Sequence, residues 1–369
     1  MKRAFPVFAL VALWMAAAPA GAQFSAPAPD QPDLALDAAT RAAVVERLAS
    51  QVDSAYVFPD VGRKVARALR ERLKKGRYDR IAQAKEFSDT LNADLRALAH
   101  DLHLRVHYSH RPFPAPDAPG AAGISGVAGP SPAEREREAA QARRFNHGFE
   151  KVERLPGNIG YIELRGFDGS PAAGVVAQAA MQFLANTDAV IFDLRRNGGG
   201  DPNMIALLLS YLYSSEERVH INDFYQRAGD RTEEYWTSTT VPGPRFPTHD
   251  VYVLTSRRTG SAAEEFAYDV KHLKRGTVVG EVTAGGANPG GLVYLNANFA
   301  AFIATGRAIN PVTKTNWEGV GVEPDVKVPA EDALRTAHVD ALTKLIARTE
   351  DAELKAARER ALAQVKNPT

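Results

Sequence analysis

Apolar side chains recur at every fourth position from Asp37 onward. In DAATRAAVVERLASQVDSAYV, Val44, Leu48, Val52 and Tyr56 fall four apart, which gathers them on one face of a helix. VGRKVARALRERLKKG and AKEFSDTLNADLRALAHDL repeat the spacing, so the chain is predicted to be helical to about Leu102. HLRVHYS then alternates polar and apolar, the period of a strand. Beyond residue 133 the pattern changes to short apolar runs set between helical ones. IGYIEL (159–164), DAVIFDL (188–194), DVYVLTS (250–256) and TVVGE (277–281) read as strands. PAAGVVAQAAMQFLAN, the segment after DPNM and the segment after Ser261 read as helices. VYLNANFAAFIATGRAI looks like a hairpin addition, and the C-terminal 36 or so residues before Lys366 read as one or two amphipathic helices. Strands that alternate with helices predict a layered α/β core on a mostly parallel sheet.

Punctuation in the pattern suggests boundaries. MKR supplies positive charge, AFPVFALVALWMAAAPA an apolar run, and Ala20–Ala22 small residues, the three parts of an export signal over residues 1–22. The apolar run is shorter than the ~20 residues of a spanning helix, so no stable membrane insertion is expected once the signal is removed. The expected location is periplasmic or secreted. Residues 23–36 are a Pro-rich linker, 37–111 a helical N-terminal domain, and 112–133 a flexible Pro/Gly-rich linker. Residues 134–369 form the α/β core with its C-terminal helices, beginning with a short charged helix in EREREAAQARRF.

Composition narrows the chemistry. Basic and acidic residues number 45 and 44, a net charge of +1, which gives no electrostatic reason to expect nucleic acid as a partner. There is no cysteine, which removes thiol nucleophiles and thiolate metal sites. His103 and His107 would share a helical face as metal ligands, but their segment reads as a strand, and no His-Glu-x-x-His pattern occurs. No metal or cofactor is expected.

Two strand-to-helix junctions carry unusual residues, at the place where α/β sheets build their sites. In DAVIFDLRRNGGGDPN a strand runs into Gly198, Gly199 and Gly200, with Asp201 and Pro202 suited to open the next helix. The glycines serve either a tight loop or close backbone approach to a ligand. A phosphate loop would need Gly-Lys-Ser/Thr to follow, and an oxyanion hole of N–H groups fits best. In YVLTSRRTGSAAEEF a strand runs into Ser261. Ser261 and Glu264 have capping-box spacing, so Ser261 reads either as a helix cap or as a nucleophile.

IGYIELRGF, FDLRRNGGG, YVLTSRRTGSAAEEFAYDVKHLKRGTVVGEVTAGG and NWEGVGVEPDVKV occur in this order. Together they resemble the C-terminal processing (tail-specific) peptidase family of serine peptidases. The resemblance runs from about Gly157 to Pro329, with a weaker one over 37–112. That family also takes in the tricorn protease core and the repeats of interphotoreceptor retinoid-binding protein. The resemblance implies a crotonase- or ClpP-like core of stacked ββα units, with Ser261 as nucleophile. It implies oxyanion donors at Gly198 or Gly199 and at the N–H of Ala262. Many tail-specific proteases pair serine with a lysine, but Gly286 stands at the matching position, which excludes that dyad. Tricorn-like members use a histidine and a glutamate instead, which nominates His103 in HDLHLRVHY and Glu318 in WEGVGVEPD. Leu102 stands where those members carry a second serine. Between His110 and the core there is no room for the PDZ domain typical of tail-specific proteases, so the retinoid-binding-protein-like branch matches best.

The resemblance therefore implies a serine peptidase acting on unfolded or flexible peptides, with His103 as general base. The alternative is a non-catalytic module that binds an apolar ligand or peptide on the same fold. An esterase using the same serine is not separable at this level. The sequence gives no oligomeric state.

Overall fold

A computed structural model describes residues 31–99, 101, 103–113, 115 and 132–367. The expected signal (1–22), residues 23–30 of the first linker, Leu102 and most of the 112–133 linker lie outside the described residues.

Three helices come first: α1 (Ala38–Ala55), α2 (Pro59–Lys74) and α3 (Ala84–Ala99), followed by β1 (Arg105–Tyr108). Asp37 caps α1 by accepting the Thr40 N–H at 2.7 Å. Val44, Leu48, Val52 and Tyr56, the predicted stripe, are buried. Then come α4 (Pro132–Arg144), β2 (Phe149–Leu155), β3 (Ile159–Leu164), α5 (Pro171–Phe183), β4 (Ala189–Asp193) and α6 (Pro202–Tyr211). The chain continues through β5 (His220–Gln226), β6 (Arg231–Trp236), β7 (Asp250–Thr255), α7 (Ala262–His272) and β8 (Thr277–Gly280). It closes with β9 (Gly290–Asn296), β10 (Phe299–Ala304), β11 (Gly306–Ile309), β12 (Val326–Lys327), α8 (Ala333–Ala347) and α9 (Ala352–Lys366).

The central sheet has the order β12-β8-β7-β4-β3-β2, parallel except for β2. Alternation along each strand divides its side chains between two faces. Val190, Phe192, Val251 and Val253 pack under α5, α6 and α7. Ala189, Ile191, Tyr252 and Leu254 pack against α8 and α9. Burial on both faces explains why these strands read as unbroken apolar runs. Among the described residues no helix is long and apolar enough to cross a membrane.

The N-terminal helices do not make a core by themselves. Their buried faces close on β9 and β10 through Val293, Leu295, Phe299, Ala301 and Ile303. β1 pairs antiparallel with β10, Val106 opposite Ala301. The hairpin predicted as an addition to the core thus completes the helical unit.

β2 and the β5–β6 hairpin do not stand out in the sequence pattern. β2 is an edge strand with exposed Glu150 and Lys151, so its apolar signal is diluted by the charges that suit an edge. The β5–β6 turn places Gly229 and Asp230 at φ 80° and 47°, and its second strand is mostly solvated.

Helix α7 is not amphipathic over its first nine residues. Every residue from Ala262 to Val270 is buried, including Glu264, Glu265 and Asp269. Glu265 and Asp269 lie one turn apart, and each has an amide partner: Asn222 Nδ2 at 3.2 Å and Asn310 Nδ2 at 3.0 Å. Burial pushes the Glu265 carboxyl up to about 8, against the Asn222 bond and with the charge of Asp201 adding. Burial, with Glu265 adding, pushes Asp269 well above the usual range. The folded state therefore favours neutral forms. For Glu265 this stabilisation is complete below the ordinary carboxyl pKa of about 4 and is lost as pH rises through about 8. Glu265→Gln should flatten the loss of thermal stability between pH 5 and pH 9 relative to wild type, measured by melting curves across that range.

Candidate active site

Strands β4 and β7 are parallel neighbours, Ala189 beside Asp250 through Asp193 beside Leu254. Their carboxyl ends release two loops side by side, and these loops are stitched together. Thr259 Oγ1 donates to the Leu194 carbonyl at 2.8 Å, Ser256 Oγ to the Arg195 carbonyl at 2.6 Å, and Gly260 N–H to the Asn197 carbonyl at 3.1 Å. Asp193 and Arg195 brace the base of the glycine loop. Arg195 Nε and Nη2 reach Asp193 at 2.9 and 2.5 Å, and Tyr161 donates to the same carboxylate at 2.7 Å.

Ser261 stands at the β7-to-α7 turn with φ 52° and ψ −124°. A non-glycine residue rarely occupies that region, and holding it there costs about 1–3 kcal/mol. The strand-turn-helix setting is one that presents a serine hydroxyl. Ser261 and Glu264 form the capping box that their spacing predicts. Glu264 Oε2 accepts the Ser261 N–H at 2.8 Å. Glu264 Oε1 also accepts from Thr283 Oγ1 and the Gly285 N–H, both at 2.6 Å, and Oε2 from the Gly286 N–H at 2.9 Å. Burial pushes its carboxyl up to about 7, with those four donors opposing.

The glycine loop lies against this turn. A Cβ on Gly199 would sit 2.7 Å from Ser261 Cβ and 3.1 Å from the Ala262 nitrogen, and its φ is 115°. Gly200, at φ 152°, lies so close to Phe167 that a Cβ would meet the Phe167 carbonyl oxygen. Of the two sequence-predicted loop donors, Gly199 gives its N–H to Asn197 Oδ1 at 2.8 Å. Gly198 faces open space. Ala262 opens α7, where N–H groups and the helix dipole favour negative charge.

His103 and Glu318 meet from opposite parts of the chain, with Nδ1 and Oε2 3.2 Å apart. Glu318 Oε2 also accepts the N–H groups of Ala287 and Asn288 at 2.8 and 2.9 Å. Trp317, 1% exposed, is a packing residue whose Nε1 donates to the Gly286 carbonyl at 2.9 Å. Residues 283–288 therefore form a strap: its first half binds Glu264, which holds Ser261, and its second half binds Glu318, which holds His103. Burial disfavours the His103 imidazolium, but the bond and charge of Glu318, then Asp101 and Glu264, outweigh it and raise the pKa. Burial also works against the Glu318 carboxylate, yet His103 and the two strap N–H groups hold its pKa below the usual value. With Nδ1 turned to a carboxylate, the neutral ring leaves Nε2 as acceptor.

Asp101, His103 and Glu318 each offer a ligand atom within 4.8 Å of the others. Donors already occupy both Asp101 oxygens and Glu318 Oε2, while Glu318 Oε1 has no partner among the described residues. His107, the other histidine considered as a ligand, is not in this cluster; burial and Arg105 lower its pKa to about 4.

A model of peptidase family S41 matches residues 158–328, and a model of the N-terminal domain of that family in eukaryotic IRBP matches residues 34–143. The chain belongs to peptidase family S41. Among curated relatives of this S41 chain is the chloroplastic carboxyl-terminal-processing peptidase 2 of Arabidopsis thaliana. It is 29% identical over 190 residues, which is 47% of this chain and 34% of that protein. The chloroplastic C-terminal processing peptidase of Tetradesmus obliquus is 27% identical over 181 residues, 47% of this chain and 36% of that protein. The aligned region thus spans about a third of each relative's length. A putative peptidase from Parabacteroides merdae shares the fold at TM-score 0.52 and 20% identity, over 80% of this chain and 92% of that one. A mutant of CPAF does so at TM-score 0.54 and 10% identity, over 90% and 99% of the two chains.

Asp101 and the strained conformation of Ser261 are site features that the sequence reading did not single out. The Asp-x-His spacing is the signal for the first, since an aspartate commonly bonds the N–H two residues on. The second is a dihedral, with no residue-type signature at a serine. The packing of the glycine loop generates a contrast. Gly199→Ala should destabilise the protein by about 1–3 kcal/mol through its left-handed backbone and its contact with Ser261. Gly198→Ala, with nothing within 4 Å of the new methyl group, should keep the wild-type melting temperature. Thermal unfolding of the two variants checks this.

Proposed function

We propose that this S41 chain is a serine peptidase that hydrolyses peptide bonds in unfolded or flexible polypeptides. The observation that carries the reading is the strained Ser261 turn, pressed against the glycine loop and strapped to a histidine–carboxylate pair. Export of the mature protein to the periplasm or beyond belongs to the same proposal, on the strength of the signal-like residues 1–22.

Ser261 Oγ attacks the scissile carbonyl carbon while His103 Nε2 takes the hydroxyl proton. Glu318 keeps Nδ1 protonated and stabilises the imidazolium that forms. The carbonyl oxygen becomes an oxyanion. The N–H groups of Gly198 and Ala262 receive it, because the Gly199 N–H is held by Asn197; such donors contribute about 3–4 kcal/mol each. Collapse breaks the C–N bond, and the leaving amine takes the proton from His103. An acyl-serine ester remains. Water then attacks it, His103 takes the water's proton, and that proton returns to Ser261 as the acid product leaves.

The raised His103 pKa places the acidic limb of activity at higher pH than an ordinary histidine would, because only the neutral ring accepts the serine proton. Glu318→Gln should move that limb to lower pH and reduce the plateau rate by roughly a thousandfold or more. Fluorophosphonate labelling and hydrolysis of an unfolded protein substrate should both vanish in Ser261→Ala. Wild-type protein that neither labels nor hydrolyses, while folded, would point to the peptide- or apolar-ligand-binding module. Labelling with hydrolysis of esters but of no peptide would point to an esterase.

A further inference from the structure

Asp101 has no place in the steps above, yet it is among the most constrained side chains near the site. It is 3% exposed. Its Oδ1 accepts the main-chain N–H of His103 at 2.7 Å and that of Leu104 at 3.2 Å. Its Oδ2 accepts the hydroxyl of Tyr56 at 2.8 Å. Tyr56 is itself fixed. It is 1% exposed at the end of α1, and its carbonyl accepts Arg227 Nη1 at 2.6 Å from the end of β5. The clamp therefore ties the segment that carries His103 to α1 and, through Arg227, to the β5–β11 sheet.

The same carboxylate also acts as a charge. Asp101 and Glu318 approach the imidazole from different segments, and atoms of all three groups lie within 4.8 Å of one another. Two buried carboxylates at that separation repel, and a positive charge between them relieves the repulsion. An imidazolium is such a charge, and it is the form that His103 takes once it has accepted a proton. The ring is bounded on another side by Phe302 of β10, with centroids 5.6 Å apart, which contributes no charge.

We infer that Asp101 is a positioning residue for His103: it fixes the main chain from which the imidazole projects and, with Tyr56 as its donor, supplies a second negative charge that stabilises the imidazolium. The inference rests on His103 being the base. Among the described residues, the titratable groups near His103 include Glu318 from the loop before β12, Asp101 and Tyr56 from the clamp, and Glu264 from α7; all three carboxylates raise the His103 pKa. Burial and the charge of Glu318 push the Asp101 carboxyl up, while the Tyr56 and His103 bonds hold it down. Burial and Asp101 raise the Tyr56 pKa far above neutrality, so its hydroxyl remains a donor at any working pH.

The test is the pH dependence of the fluorophosphonate labelling rate in the full chain carrying Asp101→Asn, Asp101→Ala, Tyr56→Phe or His103→Ala. Melting curves show which variants are folded. Asp101→Asn retains an oxygen for the His103 N–H but lacks the charge. Its acidic-limb midpoint should move to lower pH, with the plateau rate within a few-fold of wild type. Tyr56→Phe should move the midpoint in the same direction, because Asp101 without its donor is more readily protonated. Asp101→Ala also releases the main chain and should lower the plateau about a hundredfold, the scale of a misplaced catalytic group. If it does not fold, the two isosteric variants decide. A midpoint unmoved in folded Asp101→Asn, with His103→Ala inactive, overturns the role of Asp101 alone. A His103→Ala protein that labels like wild type overturns the base assignment and this inference with it.

Discussion

The buried carboxylate of Glu264 takes four donors: the N–H of Ser261, two strap N–H groups and the Thr283 hydroxyl. It sits in the first turn of α7, where the helix dipole favours an anion. Through it the start of α7 and residues 283–286 become one body. The next two strap residues hold Glu318, and Glu318 holds His103. A chain of short hydrogen bonds thus runs from the proposed nucleophile to the proposed base. Disturbing Glu264 would loosen both ends together.

That arrangement is expensive to build. Ser261 occupies a strained conformation, and Glu265 and Asp269 are buried one turn apart on the same helix. The cost is offset by packing. α7 is buried along nearly its whole length against β4, β7 and α6, with Phe266 beside Phe192 and Phe167. A helix held this firmly can keep one residue off its preferred backbone region. Strain at functional sites persists when the surroundings over-determine it. Here the determinants are the glycine loop on one side and the strap on the other.

Much of the core was readable as pattern because β3, β4, β7 and β8 are apolar on both faces and short. β2 and the β5–β6 hairpin were not, since edge strands carry the charges that obscure alternation. The completion of the helical unit by β9 and β10 was not readable either. It depends on Val106 meeting Ala301, a contact that no local window contains. The site divides in the same way. The glycine loop and Ser261 follow from adjacent parallel strands ending in unusual turns. His103 and Glu318 are 215 residues apart, and only the family resemblance nominated them together. The sequence also could not choose between Gly198 and Gly199, because the proposed choice turns on one hydrogen bond, from the Gly199 N–H to Asn197 Oδ1. The main chain of His103 is held by Asp101.

The most direct measurement is a crystal structure of the phosphonylated protein. Phosphorus should be bonded to Ser261 Oγ, with its oxyanion-like oxygen about 2.7–3.1 Å from the N–H groups of Gly198 and Ala262. His103 should face Oγ through Nε2 while Nδ1 keeps Glu318. A phosphonyl group on another residue, or one on Ser261 whose oxygen points away from Gly198 and Ala262, would contradict it.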